Sequence, residues 1–174
     1  MENMNIHSEY LPVLSKEQLT TAIQSAQYAA LYDMLVTPLH EELYRRNDFN
    51  FLDILSTGQQ LLLSYDYVRN QVLQGGFIQL IQNGYIGLLP DMPAWLQYIG
   101  DPSMASLLDD VLKVYVLNHE LLDKKTTPEE FVKLYEELKE FEIIDARFLE
   151  LDTHTERLII QFAIKYPEQF YKTE

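Results

Sequence analysis

Apolar residues recur along the chain every three or four positions, in runs opened by capping residues and closed by Gly or Pro. Ser15 followed by Gln18 is a capping-box pair ahead of Leu19, Ile23, Ala26, Ala30 and Met34, which predicts a long first helix. Thr37-Pro38 reads as an N-cap with proline at the first helical position, opening a short helix through Leu39, Leu43 and Tyr44. Ser56 with Gln59 predicts a helix through Leu62, Leu63, Tyr67 and Leu73 that stops at Gly75-Gly76, with a short helix from Phe77 to Asn83 after it. Pro90, Pro93 and Gly100 bracket a short segment around Trp95, and Asp101-Pro102 caps a helix carrying Leu107, Leu108, Val111, Leu112, Tyr115 and Val116. Thr127-Pro128 with Glu130 opens a helix whose Phe131, Leu134, Tyr135, Leu138 and Phe141 form one stripe. Thr153 with Glu156 opens the last helix, which Pro167 ends.

No comparable run alternates with period two, and no Asn-Gly or Asp-Gly turn joins two β-like runs. The pattern predicts an all-α protein of seven to nine helices, a single compact domain over residues 1–174 with 1–14 as an N-terminal extension. With 174 residues and 47% apolar content, the chain can fill a core and has no compositional case for disorder.

Charge changes the picture. The formal net charge of −14 far exceeds what solubility requires, repels nucleic acid and anionic membranes, and attracts basic proteins. Residues 1–50 hold 7 acids and 3 bases, 51–100 hold 3 and 1, and 101–174 hold 17 and 9, so most of the excess is C-terminal. Asp109, Asp110, Glu120 and Asp123 form one acidic group, and Glu129, Glu130, Glu136, Glu137 and Glu140 a second, diluted by Lys133 and Lys139. These nine are the candidate partner-binding residues. Alone, each helix also fits a solvated face with supporting pairs such as Glu129 with Lys133. Carboxylates one turn apart recur every ~5 Å of axis, whereas duplex DNA carries a charge per ~1.7 Å, so one stripe is about threefold too sparse to imitate it. Several stripes, or two subunits, would have to align.

The absence of cysteine excludes disulfides, thiolate metal sites and a cysteine nucleophile. Met1-Glu2-Asn3-Met4 carries an acid where a secretory signal carries bases, and no apolar run reaches spanning length, so the expected location is cytoplasmic. His119-Glu120-Leu121-Leu122-Asp123 comes nearest to a helical zinc motif but has Asp where the second His belongs, and no third ligand cluster accompanies it. Gly75-Gly76 lacks the Lys and Ser or Thr of a phosphate loop and fits a chain reversal. The pattern therefore implies no catalytic residue, no metal and no cofactor.

Five runs carry a family resemblance: Ser56-Thr57-Gly58-Gln59-Gln60, Gln74-Gly75-Gly76-Phe77-Ile78-Gln79-Leu80-Ile81-Gln82-Asn83, Tyr98-Ile99-Gly100, Ile144-Asp145-Ala146-Arg147-Phe148, and Tyr166-Pro167-Glu168-Gln169-Phe170. Together they resemble, over roughly residues 40–170, the family named after a neisserial DNA mimic protein. Gln74 and Leu80 stand where that family commonly has Asn and Phe. The resemblance implies an all-helical homodimer whose carboxylates imitate DNA phosphates and occupy the DNA-binding face of a transcription factor or nucleoid-type protein. The motif residues Gly75, Gly76, Phe77, Gln79 and Asn83 read as structural: a reversal, a core anchor, and two amides placed to bond exposed backbone near the reversal. A rival binding reading is an immunity-like or antitoxin-like inhibitor of a basic nuclease toxin. An enzymatic reading would require a polar pocket around Gln79, Asn83 and His119.

Overall fold

The structure, a computed structural model, describes residues 4–174. Residues 1–3, on which the reading of the N-terminus partly rests, lie outside the described residues. In chain order the helices are α1 (Lys16–Gln24), α2 (Tyr28–Arg46), α3 (Thr57–Gln82), α4 (Met92–Ile99), α5 (Pro102–Leu122), α6 (Pro128–Glu137) and α7 (Glu140–Lys165). Because α3 is broken by non-helical backbone at Gly75 and Gly76, eight α-helices are present among the described residues, within the expected range. Short 3-10 turns occupy Phe49–Ile54, Tyr85–Leu88 and Pro167–Gln169. The fold is all-α. The alternation test could not register the two-residue parallel pair β1 (Val13–Leu14) and β2 (Lys172–Thr173), which joins Val13 to Lys172 and Leu14 to Thr173.

Two compact units emerge, one from Met1–Leu63 with Glu156–Glu174, the other from Ser64–Thr155. In the first, Leu31, Leu35, Leu39, Phe51, Leu62, Ile160 and Phe170 are buried. Its polar spine is the capping box of α3. The Ser56 Oγ accepts from the Gln59 N–H, and the Gln59 Oε1 accepts from the Ser56 N–H, both at 3.2 Å. Both residues are wholly buried, and their remaining groups reach chain ends: Ser56 Oγ donates to the Gln169 carbonyl at 2.6 Å, and Gln59 Nε2 to those of Tyr10 at 2.9 Å and Phe170 at 3.1 Å.

In the second unit, Tyr65, Phe77, Leu96, Leu108, Val111, Phe141 and Phe148 are buried. Two buried carboxylates are fully engaged there. Asp152 accepts from Tyr65 Oη at 2.8 Å and pairs with Arg69 at 2.8 Å. Asp101 caps α5 through the Met104 N–H at 3.0 Å and accepts from Thr155 Oγ1 at 2.6 Å.

Four expected boundaries are corrected. The first helix ends at Gln24, and Ala26 adopts a left-handed φ of 52° before α2 begins. No residue from 23 to 30 is buried, so the core gains nothing from a continuous helix there. Thr37-Pro38 opens no helix, since Pro38 lies inside α2. Leu35, Val36, Leu39 and Leu43 are all buried across it, and that burial outweighs the one backbone bond proline forfeits. The helix from Pro128 stops at Glu137, because Leu138 leaves helical geometry, so Phe141 and Glu140 belong to α7. Thr153 likewise opens nothing. It sits in the middle of α7, held there by the buried bonds of its neighbours Asp152 and Thr155.

Candidate functional site

The candidate carboxylates all lie in the second unit, on α5 and its C-cap Asp123, on α6, and in the first turn of α7. Between residues 101 and 155 stand 14 acids and 6 bases, whereas 156–174 holds 3 of each, so the C-terminal excess belongs to this unit alone. Glu120, Asp123, Glu129, Glu130, Glu136, Glu137 and Glu140 are exposed, and Asp109 and Asp110 are half-buried. Three of the nine are engaged locally. Asp110 pairs with Lys113 at 3.1 Å, Asp123 accepts from Tyr115 Oη at 3.0 Å, and Glu130 completes the Thr127 capping box at 2.8 Å. The other six make no hydrogen bond or ion pair among the described residues, and the pairing of Glu129 with Lys133 read from the sequence does not form.

Helical geometry gives their spacing. On α6, Glu129 with Glu136 and Glu130 with Glu137 form two rows, each seven residues apart and therefore about 10.5 Å along the axis, with Lys133 between them. A single strand of duplex DNA carries a charge every ~3.4 Å, so each row is about threefold sparser than a phosphate strand. On α5, Asp109 and Glu120 share one face three turns apart. Exposed Glu142 and Glu150 on α7 extend the acidic surface and were missed by the sequence reading, although their acid count carried the signal.

The glycine motif lies inside this unit. Gly76 has φ 72° and ψ −176°, a conformation essentially reserved for glycine, and a Cβ there would stand 2.0 Å from Tyr135 Oη and 2.2 Å from Asp145 Oδ2. Asp145 Oδ1 accepts the Phe77 N–H at 2.9 Å, capping the helix that resumes after the break. Tyr135 Oη lies 2.8 Å from the Gly75 carbonyl and 3.0 Å from Asp145 Oδ2. Burial raises the pKa of the Asp145 carboxyl, opposed by the bonds from Phe77 and Tyr135. Burial raises the Tyr135 hydroxyl, and the Asp145 charge adds to it. Phe77 is fully buried edge-on to Phe148, ring centroids 5.5 Å apart. Contrary to the sequence expectation, Gln79 and Asn83 do not bond the backbone of the break at Gly75-Gly76. Their side-chain amides both donate to Gln71 Oε1, at 3.4 and 2.6 Å, because Gln71 lies on the limb of α3 before the break.

Four of the five family-like runs thus meet in pairs: 56–60 against 166–170 in the first unit, and 74–83 against 144–148 in the second. A model of the DMP19-like protein family matches residues 53–166. The chain belongs to that family. The matched span of this DMP19-like protein holds the glycine break and all nine candidate carboxylates, while residues 1–52 lie outside it. No curated protein matches the chain.

Among the described residues, no group of three or more His, Asp or Glu side chains is placed to hold a metal ion, and no helix is long and apolar enough to cross a membrane. Gln79 and Asn83 line an open groove with Gln82, Lys125, Thr126, Thr127, Pro128 and Phe131; His119 lies exposed on α5 and outside it.

Proposed function

We propose that this DMP19-like chain is a non-enzymatic, acidic DNA-mimic-type binding protein that occupies the DNA-binding surface of a basic protein, such as a transcription factor or nucleoid-type protein. In this reading it works in the cytoplasm as a homodimer, with residues 1–174 acting as one domain, and binds neither nucleic acid nor membrane. The observation that carries it is the set of six exposed or half-exposed carboxylates on α5, α6 and α7 with no partner among the described residues. Carboxylates held this way lose nothing internal when a cation approaches, and their summed field speeds encounter. Each α6 row is too sparse to imitate a DNA strand alone, so the reading requires α5, α6 and α7, or two copies of the chain, to contribute together.

The test is capture from cytoplasm on the immobilised chain at low salt, followed by separate elution with salt and with duplex DNA. DNA-binding proteins released by both eluants are the expected result. Binding indifferent to moderately high salt, or a captured partner that still holds DNA while bound, sinks the reading.

A further inference from the structure

The outer face of α5 is not purely acidic. Val116 and Leu117 are 65% and 82% exposed, the most exposed adjacent apolar pair on this helix. Helical spacing places Asp109 and Asp110 about two turns before them, and Glu120 and Asp123 one to two turns after. Lys113 on this face is already paired with Asp110, while exposed Lys124 and Lys125 follow Asp123 beyond the end of the helix. An apolar centre with an acidic rim differs from a phosphate array, which has no apolar centre, and follows the apolar-core, polar-rim layout of a protein-protein interface.

We infer that this face docks a basic amphipathic helix of the partner, with Val116 and Leu117 covered by its apolar stripe and Asp109, Glu120 and Asp123 met by its flanking Lys or Arg. Charge complementarity selects this occupant. An acidic or neutral helix would bury the same apolar pair but bring no cation to the rim, and a flexible cationic tail would satisfy the rim but leave the pair wet. The inference rests on the proposed function, since it names the element of the basic partner that is gripped. It adds that the grip has an apolar part which salt does not screen.

The experiment compares two probes on the full chain. One is a helical peptide of repeated Leu-Lys-Lys-Leu-Leu-Lys-Leu heptads, the other a polylysine of equal charge. The amphipathic peptide should bind about tenfold tighter or better, the gain expected from covering two aliphatic side chains. Val116→Gln with Leu117→Gln should bring the two probes to equal affinity and leave the helical circular dichroism unchanged, since both positions are exposed. Leu149→Gln, at another exposed apolar position on α7, should preserve the gap. Equal affinities on the unmodified chain, or a gap that survives the double variant, would overturn the inference while leaving the proposed function standing. If neither cationic probe binds at low salt, the carboxylate reading itself falls, and the inference with it.

Discussion

Replacing Gly76 by alanine should be among the most damaging single substitutions in the second unit, and the reasons can be separated. The backbone term comes first: φ 72° with ψ −176° costs a residue with a Cβ about 2–3 kcal/mol. The steric term follows, because the new Cβ would lie 2.0 Å from Tyr135 Oη and 2.2 Å from Asp145 Oδ2. Moving those groups weakens the cap on the Phe77 N–H and the bond to the Gly75 carbonyl, a further cost of about 2–3 kcal/mol. The control is Gly84→Ala, where φ is also positive at 83° but no atom lies within 4 Å of the added Cβ. That position is ordinary left-handed backbone and should cost about 1 kcal/mol. At about 3 °C per kcal/mol for a chain of this length, Gly76→Ala should melt roughly 12 °C below Gly84→Ala. Thermal unfolding followed by circular dichroism reads the difference. A double-mutant cycle sharpens it, since Tyr135→Phe removes the nearest clashing atom and should lower the added cost of Gly76→Ala by about 1 kcal/mol or more. Equal melting temperatures for the two glycine variants would refute the steric account, and additivity in the cycle would remove Tyr135 from it.

Three further outcomes are expected. Gln59→Leu strips partners from the Tyr10 and Phe170 carbonyls and from the Ser56 N–H, and should cost about 3 kcal/mol or more, read as a lower urea midpoint at unchanged slope; a loss under about 1 kcal/mol would mean these groups find other partners. Glu42 is held at about 2 by hydrogen bonds from Arg45 and Arg46, below its ordinary value of 4.5, so its contribution to stability is present above 4.5 and is lost as pH falls toward 2. Glu42→Gln should therefore flatten the acid limb of stability in that window, and an unchanged limb would show that the Glu42 contacts with Arg45 and Arg46 contribute nothing. Tyr135 has the opposite sign: its pKa is raised, so its contribution is intact below the ordinary tyrosine value of 10.0 and is lost as pH climbs through the raised one, and Tyr135→Phe should lessen the alkaline loss of melting temperature.

Local chemistry was legible where it did not compete with burial. Ser15, Ser56, Asp101 and Thr127 cap helices as their spacing predicts, because an N-cap depends only on the next three residues. The same vocabulary misled at Thr37-Pro38 and Thr153, where an uninterrupted apolar stripe in one case and distant partners in the other hold the helix together. Those partners, Tyr65 with Asp152 and Asp101 with Thr155, are separated by 87 and 54 positions, and no window of sequence contains both members. The acidic surface was legible as a count but not as an inventory of free groups: Asp110 is ion-paired, and Asp123 and Glu130 keep their charge while accepting local hydrogen bonds. The roles of Asp145 and Tyr135 were hidden for the same reason as the buried pairs, although Asp145 stood in a run already singled out by resemblance.

The lock around Gly76 consumes every polar group it employs: the Asp145 carboxylate, the Tyr135 hydroxyl, the Phe77 amide and the Gly75 carbonyl all face one another. A signature spent on interior geometry places no demand on the outer positions of α5 and α6. Glu129, Glu136 and Leu117 can therefore be rewritten, in the laboratory or by descent, with little effect on the chassis that displays them. Two chains could share the glycine break atom for atom and yet present surfaces suited to entirely different company.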